Sequence, residues 1–317
     1  MILEIPRILG ALLPDRFASR ALNVAWVQTT RPKFLVFDGH DCRKPLCVVQ
    51  FGEAEELQRT HVILQRLHGM LPDVVPDSLA FSRWRDVGWV HVQEGAPGLA
   101  WFRVADRFRS RRDWLVLRRR AVDVLVRFQE AVRKCPKWRS EISPGDTLRN
   151  EATVCLEREL GLSQRVWIVA SRLSEELDVL GRLASSWQHG DYCLNNLLVD
   201  DSRISIIDFE EFGTTSMPLQ DELGLALSTY LLAPRSARTV PLHEHVQACV
   251  ENAIGAEPEL AKQIPGLFLY YLLRRVNLCH GHPTRARVRR RLIEVAESVA
   301  GDVLSVSMHG HHQHQRR

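Results

Sequence analysis

The stretch that decides the fold reads Trp187-Gln188-His189-Gly190-Asp191-Tyr192-Cys193-Leu194-Asn195-Asn196-Leu197-Leu198-Val199, then Ile204-Ser205-Ile206-Ile207-Asp208-Phe209-Glu210 after the turn at Asp200-Asp201-Ser202. Two short apolar runs around a polar turn predict a β-hairpin. A hairpin folded back on its own loop brings Asp208 beside Asp191 and Asn196. An isolated Gly-Asp or Asn-Asn reads as a turn or a cap; the information lies in the whole string at its fixed spacing.

On the N-terminal side the chain reads as strands. Leu22–Gln28, Phe34–Phe37 and Leu46–Phe51 are short apolar runs, followed by a helix over Glu53–Met70 and a second strand pair at Ser78–Trp84 and Val87–Gln93. Glu94-Gly95-Ala96-Pro97-Gly98 breaks the pattern and marks a boundary. Beyond it helices are expected over Arg111–Val132, Asp146–Leu160, Ser163–Leu183, Gln220–Leu232, Leu242–Ile254, Glu257–Leu278 and Thr284–Val303. The plan is α+β: a small β-rich lobe over residues 1–95 with a five-stranded antiparallel sheet and one helix, then a larger, mainly helical lobe over 96–305 carrying the hairpin. A polar, His-rich tail over 306–317 is expected to be disordered.

Composition removes other classes. At 45% hydrophobic and 25% charged residues the 317-residue chain is an ordinary globular one. No run approaches the ~20 apolar residues of a membrane span. The opening segment, Met1–Pro14, lacks a basic n-region and a cleavage site, and reads as an amphipathic helix packed on the body. The seven cysteines are scattered without C-x-x-C spacing, as in reduced thiols of a cytoplasmic protein. Only five residues are lysine against 37 arginines, so a site that needs lysine has few to draw on.

The string at 187–210 resembles the catalytic segment of the aminoglycoside phosphotransferase and choline kinase superfamily, small-molecule kinases of protein-kinase-like fold. The resemblance implies a bilobal fold and a phosphotransferase that moves the γ-phosphate of ATP (or GTP) to a hydroxyl of a small molecule. Asp191 takes the role of catalytic base or hydroxyl-orienting group. Asn196 and Asp208 take that of Mg²⁺ ligands through hard oxygens. His189 is a buried brace of the loop, and Asp221, in Pro218-Leu219-Gln220-Asp221, caps a helix or holds the catalytic loop. Gln93 and Glu94 fall in the hinge, where backbone groups meet the adenine edge.

The small lobe departs from that pattern. The third-strand lysine slot is held by Gln50, and the helix glutamate that would pair with it by Thr60. Losing both is coherent, because a lone buried charge is costly. No glycine stands between the first two strands, in Gln28-Thr29-Thr30-Arg31-Pro32-Lys33. Lys33, Arg31 and Lys44 are therefore the candidates to reach the phosphates; each by itself reads as a solvated turn or strand-edge charge. The alternative is a pseudokinase-like binding module that has lost the nucleotide lysine.

Arginines crowd Arg103–Arg120 and Arg285–Arg291. They read first as solvated helix faces and second as contacts for an anionic ligand or a membrane surface. No nucleic-acid motif accompanies them. The acceptor and the oligomeric state are not legible.

Overall fold

The structure, a computed structural model, describes residues 2–27, 32–282 and 285–314, without the side chains of residue 86 and residues 305–314. Helices α1 (Ile5–Leu12) and α2 (Pro14–Phe17) precede β1 (Leu22–Val27), β2 (Lys33–Asp38), β3 (Cys47–Gly52), α3 (Ala54–Met70), β4 (Ser78–Trp84) and β5 (Gly88–Glu94). Then follow β6 (Leu99–Ala100), α4 (Arg111–Arg133), β7 (Arg139–Ile142), α5 (Pro144–Glu157), α6 (Gln164–Asp178) and β8 (Leu183–Ser186). The hairpin β9 (Leu197–Val199) and β10 (Ile204–Ile206) leads into α7 (Gln220–Leu231), α8 (Leu242–Ala256), α9 (Ile264–Leu278) and α10 (Ala286–His314). The expected tail, 306–317, falls on positions outside the described side chains.

The chain divides into two compact units whose segments interleave. The first comprises Met1–Lys134, Asp191–Phe212 and Ser228–Pro241; the second comprises Cys135–Gly190, Gly213–Leu227 and Leu242–Arg317.

In the first unit, five strands pair in the order β1-β2-β3-β5-β4, all antiparallel. Side chains alternate across a pleated sheet, so each face collects every second residue. One face carries Phe34, Val36, Cys47, Val49, Phe51, Val90 and Val92 and is covered by α1 through Ile5, Ile8 and Leu9. Those three recur at helical spacing on the apolar side of α1, with Pro6 set in its first turn. The other face carries Lys33, Gln50, His91 and Phe81 in direct cross-strand register, and α3 packs against β3, β4 and β5. Gly95 closes the sheet's hinge end: its N–H donates to Leu46 O at 3.0 Å, and a Cβ there would sit 1.8 Å from Pro45 O. Strand β6 then pairs with β9, adding a third strand to the hairpin.

The second unit is helical. Val166, Val169, Ala170, Leu173 and Leu177 form one buried stripe of α6, which packs with α5, α9 and α10. Two features differ from the sequence expectation. Helix α6 ends at Asp178, and Leu183 belongs instead to β8, which pairs with β7; Gly181, in left-handed backbone (φ 61°), separates them. The first residues of the expected Glu257–Leu278 helix form a 3₁₀ segment, Pro258–Gln263, with α9 starting at Ile264.

Candidate active site

The hairpin holds its polar groups by short-range contacts. Tyr192 is buried, and its hydroxyl donates to Ala121 O on α4 at 2.8 Å. Leu194 N–H donates to Ser228 Oγ at 3.2 Å. These two anchors fix the loop on either side of Cys193. Asn196 Nδ2 donates to Asp191 O at 2.9 Å, which turns its Oδ1 the other way. Ile207 N–H donates to Asn196 O at 3.0 Å, so the residue preceding Asp208 is tied directly to Asn196. The neighbouring Asn195 is drawn off by Trp101, whose Nε1 donates to its Oδ1 at 2.9 Å. Asp208 sits at φ 67°, ψ 64°, a left-handed conformation that costs a non-glycine residue about 1 kcal/mol or more. Such strain persists where the surroundings impose it.

Arginines secure the hairpin turn. Arg120 donates to Asp200 O at 2.7 Å and to Arg203 O at 3.2 Å, and Arg107 pairs with Asp201 at 2.7 Å. Arg109 pairs with Asp106. Part of the arginine-rich stretch is thus paired within the chain, Arg107 and Arg109 at its surface.

In the second unit, Asp221 is fully buried at the start of α7 and accepts two backbone hydrogen bonds. His189 N–H reaches its Oδ2 at 2.7 Å and Gly190 N–H its Oδ1 at 2.9 Å. Charge-assisted bonds of this kind are about twice as strong as neutral ones. They fix the two residues that precede Asp191 in the chain; His189 itself is fully buried. Gln188 exchanges backbone bonds with Gly213 and Thr215. Gly213 has φ +74°, and a Cβ there would lie 2.3 Å from Trp187 Cε3, so this turn can approach the indole only because position 213 has no side chain.

Lys33 is the cation that meets the hairpin. It stands at the start of β2, directly across from Gln50 on β3. Its Nζ lies 2.9 Å from Asp208 Oδ1 and 3.0 Å from Glu210 Oε1. Burial pulls the ammonium toward neutrality, but the carboxylates of Asp208 and Glu210 outweigh it and raise its pKa above the ordinary lysine value. Lys44 is exposed, and Arg31 lies outside the described residues. Thr60 turns away from the sheet, its hydroxyl donating to Glu56 O in its own helix at 3.0 Å. Its neighbour His61 faces the strands instead. Gln93 and Glu94 end β5 opposite Val48 and Cys47, with Glu94 N–H donating to Asp77 O at 2.8 Å.

Asp208 and Asn196 offer one carboxylate and one amide oxygen, a hard-oxygen pair suited to Mg²⁺. Among the described residues no three His, Cys, Asp or Glu side chains gather as a metal cage. Two protein oxygens suit an ion whose other positions phosphate oxygens and water fill, as with Mg²⁺ at nucleotide sites.

Two features escape the sequence reading. Glu210 is a second acid on Lys33; its signal is the Asp-x-Glu spacing of 208 and 210. The other is a chain of polar contacts behind Gln50. His91 Nδ1 is 3.5 Å from Gln50 Oε1, His91 Nε2 is 2.7 Å from Ser78 Oγ, and Ser78 Oγ is 2.7 Å from His61 Nδ1. Burial, reinforced by His61, pushes the His91 pKa down to about 4; burial lowers that of His61 as well.

The model of the phosphotransferase enzyme family matches residues 16–236. No curated protein matches in sequence. Among solved structures, the GDP complex of aminoglycoside 2'-phosphotransferase-IIIa aligns at 13% identity with a TM-score of 0.58, over 95% of this chain and 99% of that one. Glucosamine kinase in complex with glucosamine, ADP and inorganic phosphate aligns at 16% and 0.59, over 97% and 87%. Choline kinase from Cryptosporidium parvum Iowa II aligns at 12% and 0.56, over 98% and 96%. These likenesses show a protein-kinase-like fold.

Proposed function

Since the chain belongs to the phosphotransferase enzyme family, we propose that it transfers the γ-phosphate of ATP or GTP to a hydroxyl of a small molecule, with Mg²⁺. Asp191 orients that hydroxyl and accepts its proton. Asn196 Oδ1 and the Asp208 carboxylate would hold Mg²⁺, which would supply charge neutralisation on the phosphate oxygens. Lys33 supplies the ammonium that grips the phosphates, and Glu210 keeps it charged and aimed between ligand events. Backbone groups at Gln93 and Glu94 serve the base edge. Asp221 and His189 keep the loop in place.

The observation that carries this reading is the Lys33 ammonium set between Asp208 and Glu210. It places one of the chain's five lysines on the face of the sheet that meets Asp208, where an ammonium can serve phosphate oxygens. The acceptor class is a sugar, amino alcohol, aminoglycoside-like compound or glycan precursor, in line with the named substrates of the structural neighbours. Work in the cytoplasm accords with the free thiols of its seven cysteines; no described helix is long and apolar enough to cross a membrane.

Gln50 and Thr60 favour a second reading, a pseudokinase-like module that binds another ligand. Calorimetric titration with ATP and with GTP, each with Mg²⁺, separates the two. Saturable binding of either nucleotide, followed by phosphate transfer to a member of a hydroxyl-compound panel, supports the kinase. No heat with either across millimolar concentrations supports the module.

A further inference from the structure

Gln50 is more than nine-tenths buried, yet among the described residues its amide N–H pair has no partner, while its Oε1 faces His91. The proton positions behind it follow from chemistry. With Gln50 Oε1 as acceptor, His91 Nδ1 carries the proton. A neutral His91 then accepts at Nε2, so the Ser78 hydroxyl must donate there. Ser78 has one proton, so its oxygen accepts from His61 Nδ1–H. One directional arrangement satisfies all three contacts: His61 to Ser78 to His91 to Gln50. It spans α3, β4, β5 and β3. Each member is held by the one before, and the chain ends on an amide whose oxygen is engaged and whose donors are unused. Directly across from that amide stands Lys33.

We propose that Gln50 is a phosphate-contacting residue of the nucleotide site and that His61, Ser78 and His91 are its positioning residues, a neutral relay standing where a lysine–glutamate ion pair would otherwise link sheet and helix. This rests on the kinase reading above. The relay spares the sheet a second buried cation beside Lys33, whose mutual repulsion would weaken both. It also sets which end of the amide faces the ligand: with the oxygen turned to His91, the N–H donors are left for phosphate oxygens, which accept and never donate in their ionised form. A freely rotating amide would present its oxygen to the phosphates half the time.

The test is a double-mutant cycle on nucleotide affinity, read by calorimetry with ATP·Mg²⁺ and GTP·Mg²⁺, well below each variant's melting temperature. Gln50→Leu should weaken binding about tenfold, the size of one hydrogen bond to a charged group. His91→Leu should weaken it by a similar factor, and the double variant should be no weaker than Gln50→Leu alone. His91→Asn, whose amide nitrogen can replace Nδ1 as donor to Gln50 but cannot reach Ser78, should restore affinity to within about twofold of wild type while its melting temperature stays lowered. That split between affinity and stability is what a merely structural histidine would not give. Wild-type affinity in both Leu variants, or additive losses in the double, overturns the relay while leaving the kinase reading intact. Failure of the wild type to bind either nucleotide overturns both.

Discussion

The hairpin and the sheet face opposite it solve the same problem by different means. In the hairpin, Asp191, Asn196 and Asp208 lie within one short run of chain and are tied by bonds such as Asn196 Nδ2 to Asp191 O and Ile207 N to Asn196 O. On the sheet, Lys33, Gln50 and His91 come from three strands and meet only through register. A group fixed by local spacing cannot move without breaking the loop. A group fixed by register can move one strand over, about 5 Å, and keep its face. In the reading proposed above the charge has done so: the neutral Gln50 holds the position where the family resemblance leads one to expect a lysine, and the Lys33 ammonium stands directly across from it.

Three perturbations probe that contrast, beginning with the greatest effect. Asp191→Ala removes the group proposed to orient the hydroxyl and should lower the transfer rate about 10³-fold with nucleotide affinity and melting temperature little changed; phosphate transfer and calorimetry on the same sample check this. Asp221→Ala leaves the His189 and Gly190 N–H groups buried without their acceptor. It should cost about 4 kcal/mol of stability, read from urea unfolding, whereas Asp221→Asn, retaining one acceptor oxygen, should cost less.

The sheet side responds to acid. His91 has a folded pKa of about 4 against about 6.5 in the unfolded chain. Protons therefore bind the unfolded state more readily between those values. Stability is full above pH 6.5 and falls as the pH drops toward 4, by about 3 kcal/mol from this residue. Unfolding curves from pH 7 to pH 4 check the slope, and His91→Phe should flatten it. A slope unchanged by that substitution would place the acid sensitivity elsewhere.

The hairpin and most helices were legible because their signals are local: fixed spacing in 187–210, and apolar residues recurring every three to four positions in α4 and α6. The sheet face was only half legible. Strand identity could be read, but not register, so Lys33 stood as one of three candidate cations until its pairing with Gln50 was seen. Counting along α3 pointed to Thr60, while a single step of helical rotation, about 100°, brings His61 to the strands instead. Strands β7 and β8 escaped because Arg139-Ser140-Glu141-Ile142 and Leu183-Ala184-Ser185-Ser186 lack a clear apolar alternation and pair across a long stretch of chain.

The most direct measurement is the affinity for ATP·Mg²⁺ and GTP·Mg²⁺ of the exchanged variant Lys33→Gln/Gln50→Lys beside Lys33→Gln alone. Loss of the ammonium in the single variant should weaken binding ~30-fold or more. Returning it one strand away should recover most of that, to within about fivefold of wild type, the remainder reflecting the broken contact with His91. Wild-type affinity in Lys33→Gln, or an exchanged variant as weak as the single one, would contradict the account that this sheet face carries the nucleotide's cation by register.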